Sequence, residues 1–393
     1  MPQLGQENNA TRGDAAVIVL STLETKQAET DYLVQCLARN GATARVLDIS
    51  LASGGTVLDG LGKLDAMATR VQSAVETLAQ DLSRARVVVG LGGGTGGEII
   101  MRIFRSLPVT FPKVLITPLP FDPRAAVAES SVILVPTLVD ICGMNATLRD
   151  VLQNAAAMTA GLCSRERAPT ERASIGVTGL GATEQAVTGL VSRLSAQGHE
   201  ATVFHSNGYG GAGFARFAAQ GAFEAIVDLT PHEATRLHLA GIHVPMPTRF
   251  TAGSDLPRVL LPGAVNFVGL GEASTLSSEY LERPHYQHSG YFTHAKLTPY
   301  EMEKVAGELA SALNSNSGPR ALIVPMGGFS HQDAPGGAIE DPALRGVFLE
   351  TARAYLKPEV QLRVIDAHIS APAITEAVTA TLTELMKETT PHV

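Results

Sequence analysis

The sequence predicts an α/β protein made of two doubly wound, Rossmann-like domains whose parallel sheets face each other across a cleft. Three observations carry that expectation. Short apolar, β-branched runs alternate with longer helix-forming stretches, the pattern of parallel strands covered by helices on both faces. The alternation breaks at the polar, charged stretch SRERAPTERAS (164–174) and then restarts. The 393 residues also exceed what one hydrophobic core usually serves. An N-terminal domain over residues 1–165 and a C-terminal domain over residues 172–393 follow.

In chain order, strands are expected at 15–22 (AAVIVLST), 42–49, 87–92 (VVVGLG), 114–120 and 132–140. Helices are expected from about Lys26, over 65–82 and over 145–162. Beyond the linker, strands are expected at 174–181, 201–208, 225–230, 258–263, 320–328 and 360–368. Helices at 298–313, 342–355 and 372–387 accompany them. Residues 250–296 carry no clear period and read as loops of the cleft.

Composition narrows the function. Hydrophobic residues make up 45% and charged residues 17%, an ordinary globular balance. The net charge is −8 and no Lys/Arg block occurs, so nucleic-acid binding lacks its basic footprint. Cys36, Cys142 and Cys163 form no CxxC pair and leave an odd count, which fits a reducing compartment better than a disulfide framework or zinc knuckle. Residues 1–16 lack a signal-peptide core, and no run of about 18 apolar residues appears. A cytoplasmic protein without membrane spans is expected.

The chemistry concentrates at strand ends. GLGGGTGG (90–97) follows a buried strand and precedes a helical segment, where an open α/β sheet places its ligand. Gly92, Gly93, Gly94, Gly96 and Gly97 let the backbone approach an anion, and Thr95 adds a hydroxyl. The loop is neither a Walker A motif nor a strict GxGxxG, and a tight strand–helix turn is the plain alternative. At the same sheet edge, Thr22, Thr25 and Lys26 can reach phosphate oxygens, and Glu24 can position Mg²⁺ or a ribose hydroxyl. Equally, Thr22 caps the helix and Glu24 sits in its first turn. Asp140 either touches the ligand or caps the next helix, and Cys142 reads as a small buried residue. VFHSNGYGGAG (203–213) repeats the strand–glycine–helix pattern and offers a second anion site, with His205, Ser206 and Asn207 at its edge. His288, His294, Ser330, His331 and Asp333 fall in expected loops. Their spacing matches no metal-ligand pair, and no GxSxG elbow supports a Ser–His–Asp hydrolase. The catalytic candidates are His205, His288, His331 and Asp333.

GLGGGTGG with RSLPVTFPKV (105–114), VDICGMN (139–145) with NAAA (154–157), VFHSNGYGG (203–211) and LPGAVNF (261–267) together carry a resemblance over nearly the whole chain. The chain resembles the family that includes the ATP-binding N-terminal domain of the tomato mosaic virus resistance protein and its uncharacterised bacterial relatives. The resemblance implies binding of ATP with Mg²⁺ in the N-terminal half, Gly92–Gly97 cradling the phosphates with Thr22 and Lys26 nearby. The chain departs from the family pattern where Glu24 replaces an aspartate and where 117–123 reads TPLPFDP. It departs again at Asn266, Lys296, Ser370 and Ala371, which replace an aspartate, an arginine and an Asn-Asp pair. Two classes of function stay open: a nucleotide-binding module regulating a protein partner, and a metabolic enzyme acting in the cleft, of sugar-nucleotide epimerase-like or hydrolase type. The ligand expected in both is a nucleotide or phosphorylated small molecule, and alanine-rich helical faces can serve a homo-oligomer.

Overall fold

A computed structural model describes residues 16–51, 58–165 and 173–389. The chain divides into two compact units, Met1–Pro169 and Thr170–Val393. Residues 1–15, and 166–172 of the expected linker, lie outside the described residues.

Unit 1 runs β1 (Val17–Ser21), α1 (Leu23–Arg39), β2 (Ala44–Asp48), α2 (Gly60–Asp81), β3 (Val87–Leu91), α3 (Gly94–Phe104), β4 (Lys113–Thr117), α4 (Arg124–Ala128), β5 (Val132–Pro136) and α5 (Ala146–Cys163). Its strands are parallel in the order β2-β1-β3-β4-β5. Alternate residues of β1 serve opposite faces. Val17 and Val19 pack with Leu33, Leu37, Leu148 and Leu152 of α1 and α5, whereas Ile18 and Leu20 pack with Met67, Leu78, Ile99 and Phe104 of α2 and α3. Burial on both faces is why these strands read as unbroken apolar runs. Because the winding reverses between β1 and β3, a crevice opens at their C-terminal ends.

Two helices begin earlier than their periodicity suggests. Lys26 is non-helical inside α1, with φ −131° and ψ 23°, so the regular pattern shows only beyond it. At α2 the Asp59 carboxylate accepts the Gly62 N–H at 2.6 Å, a cap that lets a glycine-containing first turn form.

Unit 2 runs β6 (Ser174–Gly179), α6 (Glu184–Ala196), β7 (Ala201–His205), α7 (Gly210–Ala219), β8 (Phe223–Asp228), α8 (Glu233–His238), β9 (Arg258–Leu260) and β10 (Phe267–Leu270). It continues through α9 (Ser278–Leu281), β11 (His285–Ser289), β12 (Phe292–Lys296), α10 (Pro299–Ser315), β13 (Arg320–Pro325), α11 (Pro342–Tyr355), β14 (Gln361–Ile365) and α12 (Pro372–Thr389). Six strands form a parallel sheet in the order β14-β13-β9-β8-β6-β7. α6 and α12 cover one face, and α7, α10 and α11 the other. Both units are therefore doubly wound Rossmann-like folds.

The expectation of loops over 250–296 is overturned. β10, β12 and β11 form a three-stranded antiparallel sheet, placing His288 on β11 and His294 on β12. All of β11 is exposed, so HYQHS shows none of the apolar alternation that marks a half-buried strand.

Candidate functional site

In unit 1 the Gly-rich loop splits into two functions. A Cβ at Gly92 would lie 2.8 Å from backbone atoms of Gly96 and Gly97, and one at Gly97 would lie 2.7 Å from the Phe121 ring. Close packing requires these two glycines. Gly93, the N-cap of α3, and Gly94 have no heavy atom within 4 Å of such a Cβ, so their backbone faces open space. The first N–H groups of a helix lack intrahelical partners. Gly94 and Thr95 border a cavity of about 860 Å³ that also carries Lys63, Arg102, Arg105 and Glu98. Thr22 reaches the loop from β1, its Cγ2 3.4 Å from a Cβ built on Gly96.

Other sequence candidates sit differently. Thr22 occupies the N-cap of α1, but its hydroxyl makes no capping bond and lies 3.2 Å from the Thr25 hydroxyl. Glu24 is exposed in the first turn and Lys26 marks the kink. Neither borders the cavity, nor does Asp140. The exposed Asp140 carboxylate accepts the adjacent Ile141 N–H, and Asn145 caps α5, so the capping role expected for Asp140 is corrected. Cys142 is exposed, against its expected burial. Sequence reasoning passed over Glu29, a buried carboxylate that accepts the Gly143 N–H at 2.7 Å and ties that loop to α1.

The second anion site expected at 203–213 is filled by the protein itself. Asn207 Oδ1 accepts the N–H groups of Tyr209 and Gly210, and Glu233 Oε1 accepts that of Gly211 at 3.2 Å. Glu233 is held by Arg249, which also makes a bidentate pair with Asp228 at 2.7 and 2.9 Å. All three side chains are fully buried. Asp228 and Glu233 keep the Arg249 guanidinium charged against the cost of burial and raise its pKa. A carboxylate already at the α7 N-terminus leaves no place there for a phosphate.

A cavity of about 620 Å³ opens beside this network, at the C-terminal end of the unit 2 sheet. His205, His232, Arg236, His288, Tyr291 and His294 border it. His205 and His288 are thus brought together. His232 Nδ1 lies 2.7 Å from the Ala264 carbonyl, which can only accept, so the proton sits on Nδ1 and Nε2 presents a lone pair. That Nε2 is buried without a partner. Ala264 takes φ 56°, a left-handed conformation uncommon outside glycine, at the residue that orients this imidazole. Burial, and then the Arg236 charge, hold the His232 pKa well below its ordinary value. His294 stacks on Phe267 at 4.1 Å and on His288 at 5.2 Å.

His331 and Asp333 do not border this cavity. His331 is exposed in a short 3₁₀ turn. Asp333 is corrected from catalytic candidate to strut: its buried carboxylate accepts the N–H groups of Phe329 and Asp341 and ion-pairs with Arg345 at 2.6 Å. Of the altered positions, Lys296 pairs with Asp341 at 2.7 Å, and both polar atoms of buried Asn266 lack partners. Among the described residues no group of three or more His, Cys, Asp or Glu side chains is arranged to hold a metal ion, and no helix is long and apolar enough to cross a membrane.

The histidines give a pH prediction. Burial, with His288 and Arg236 adding to it, pushes the His294 pKa from 6.5 down to about 4. The unfolded chain therefore binds a proton that the fold excludes, so this stability is intact above pH 6.5 and drains away as pH falls toward 4. The melting temperature is expected to fall through that window, and less steeply in His294→Phe. Coincident profiles would refute the assignment.

Comparison with known proteins agrees with this two-part organisation. Residues 58–168 match the N-terminal domain, and residues 172–386 the C-terminal domain, of the uncharacterised protein family UPF0261. A UPF0261 protein of Rhizobium meliloti is 30% identical, covering 93% of this chain and 97% of its own length. One of Mesorhizobium japonicum is 29% identical over 93% of this chain and 98% of its own. The ToMV resistance protein Tm-1 of Solanum lycopersicum is 29% identical over 84% of this chain but only 46% of the tomato protein.

Proposed function

The chain belongs to the UPF0261 family, and we propose that it holds the phosphates of a nucleotide or phosphorylated metabolite at the N-terminus of α3. ATP with Mg²⁺ is the ligand that the family resemblance implies. One observation supports this reading above the others. The α3 N-terminus follows β3 at the reversal point of a parallel sheet, and its Gly94 and Thr95 border a large cavity whose charged lining is Lys63, Arg102 and Arg105 set against Glu98 and Asp122. Thr22 joins through its approach to Gly96. Lys26, Asp140 and a Mg²⁺ role for Glu24 rest on their place at the same strand ends.

Gly94→Val separates binding from folding. No atom crowds a Cβ there, so the fold tolerates valine, while the side chain blocks the approach to the amides. Calorimetry with ATP, UDP-sugars and inorganic phosphate, with and without Mg²⁺, should give binding to the parent protein and an affinity weakened about tenfold or more in Gly94→Val. Absence of binding by the parent protein, or equal affinity in the variant, would defeat the reading.

A further inference from the structure

The unit 2 cavity differs in chemistry from the glycine loop, and what it takes goes beyond the nucleotide reading. We infer that it binds an aryl carboxylate bearing a hydroxyl group. The carboxylate pairs with Arg236, the ring lies against the imidazole of His288 and Tyr291, and the hydroxyl donates to His232 Nε2.

Arg236 supplies the first argument. No ion pair to a carboxylate occurs for it among the described residues, its hydrogen-bond partner is the Ile242 carbonyl at 3.0 Å, and its Nε is buried without one. A half-buried guanidinium in that state favours an anion. Two glycines make room for Arg236 and His232 themselves. A Cβ on Gly269 would lie 2.5 Å from Arg236 Nη2 and 2.9 Å from His232 Nε2, and one on Gly241, at φ +117°, would lie 3.2 Å from Nη1. Both glycines border the cavity, so Arg236 and His232 are set against its wall.

His232 supplies the second. It is fully buried yet borders the cavity, with an acceptor nitrogen that no group among the described residues satisfies. A ligand donor is its natural complement.

The third argument is the lining. His294, backed by the buried Phe267, stacks on His288 at the cavity, and Tyr291 on the neighbouring turn and Phe292 at the start of β12 are exposed. Flat faces select a flat ligand. Among the described residues Arg236 is the only Lys or Arg at the cavity, which suits a monoanion and disfavours a polyphosphate.

Titration calorimetry on the full chain would use 4-hydroxybenzoate, benzoate, cyclohexanecarboxylate and benzyl alcohol. The expected order is 4-hydroxybenzoate tightest, benzoate next, cyclohexanecarboxylate weaker, and benzyl alcohol without binding. Arg236→Met is expected to weaken 4-hydroxybenzoate roughly 10- to 100-fold. His288→Ala, on the exposed strand, is expected to weaken it roughly 2- to 10-fold without changing the melting temperature. No binding of either benzoate, or equal affinity for the cyclohexane acid, overturns the proposal. If Arg236→Met fails to fold, imidazole ¹⁵N spectra of the parent protein decide: 4-hydroxybenzoate must shift His232 Nε2, and an unmoved signal overturns the proposal. Gly94→Val must leave this binding unchanged, so the two sites fail or succeed separately.

Discussion

Replacing Arg249 with methionine is expected to destabilise unit 2 by about 3–5 kcal/mol, because it leaves two buried carboxylates without their counter-ion. Asp228 would keep only the Thr178 hydroxyl at 2.7 Å, and Glu233 only the Gly211 N–H. Arg258 lies close by but cannot substitute. Its guanidinium is itself buried, which lowers its pKa to about 10, and although its charge already favours the Asp228 carboxylate, only its Nη2 has a hydrogen-bond partner, the Ala252 carbonyl at 2.6 Å. The Phe214 and Phe250 rings, 4.8 and 4.6 Å from the Arg249 guanidinium carbon, would be left against an uncharged chain. Urea unfolding measures the loss. Burial opposes the Asp228 charge, but Arg249 and Thr178 together lower its pKa below 3.8, so its stabilising contribution is present above that pH and fades as pH drops further. The deficit of Arg249→Met should narrow under acid. A variant within about 1 kcal/mol of the parent at pH 7 would mean that the network does not clamp the fold.

Asp333→Ala is expected to cost about 3 kcal/mol or more, since one truncation orphans two backbone amides and leaves the buried Arg345 guanidinium without its counter-ion, holding only the Asp333 carbonyl. Thermal unfolding is the readout, paired with the ligand binding proposed at Gly94, which should persist wherever the protein remains folded. A catalytic aspartate would behave the other way, with stability preserved and only turnover lost. An undiminished melting temperature would return Asp333 to the list of chemical candidates.

The apolar strands and Asp333 mark where sequence reading succeeds and where it stops. VIVLS and VVVGL announce strands covered on both faces because each residue is apolar whichever way it points. The parallel sheets and their helices were legible for that reason. Asp333 was misread because a Ser-His-Gln-Asp run between glycines has the composition of a catalytic loop, while its role depends on Arg345, twelve residues on and in another element. His232 and Arg236 went unremarked. PHEATRLH carries no motif, and the signal lay only in four charged or titratable residues where a buried strand meets a short helix. The glycines of 90–97 were recognised as a group, but which serve packing and which face open space depends on Ile100 and Phe121, whose positions no spacing encodes.

Unit 2 reaches β13 from β9 by an unusually long excursion, three antiparallel strands inserted ahead of α10. That excursion supplies Gly269, His288, Tyr291 and His294 to the cavity, while Val268, Leu270 and Ala295 of its inner strands join the core with α10 and α11. Only its outer strand β11 is wholly exposed, so change there can retune the cavity wall while the buried scaffold stays untouched, much as an interchangeable tool-head leaves the handle alone.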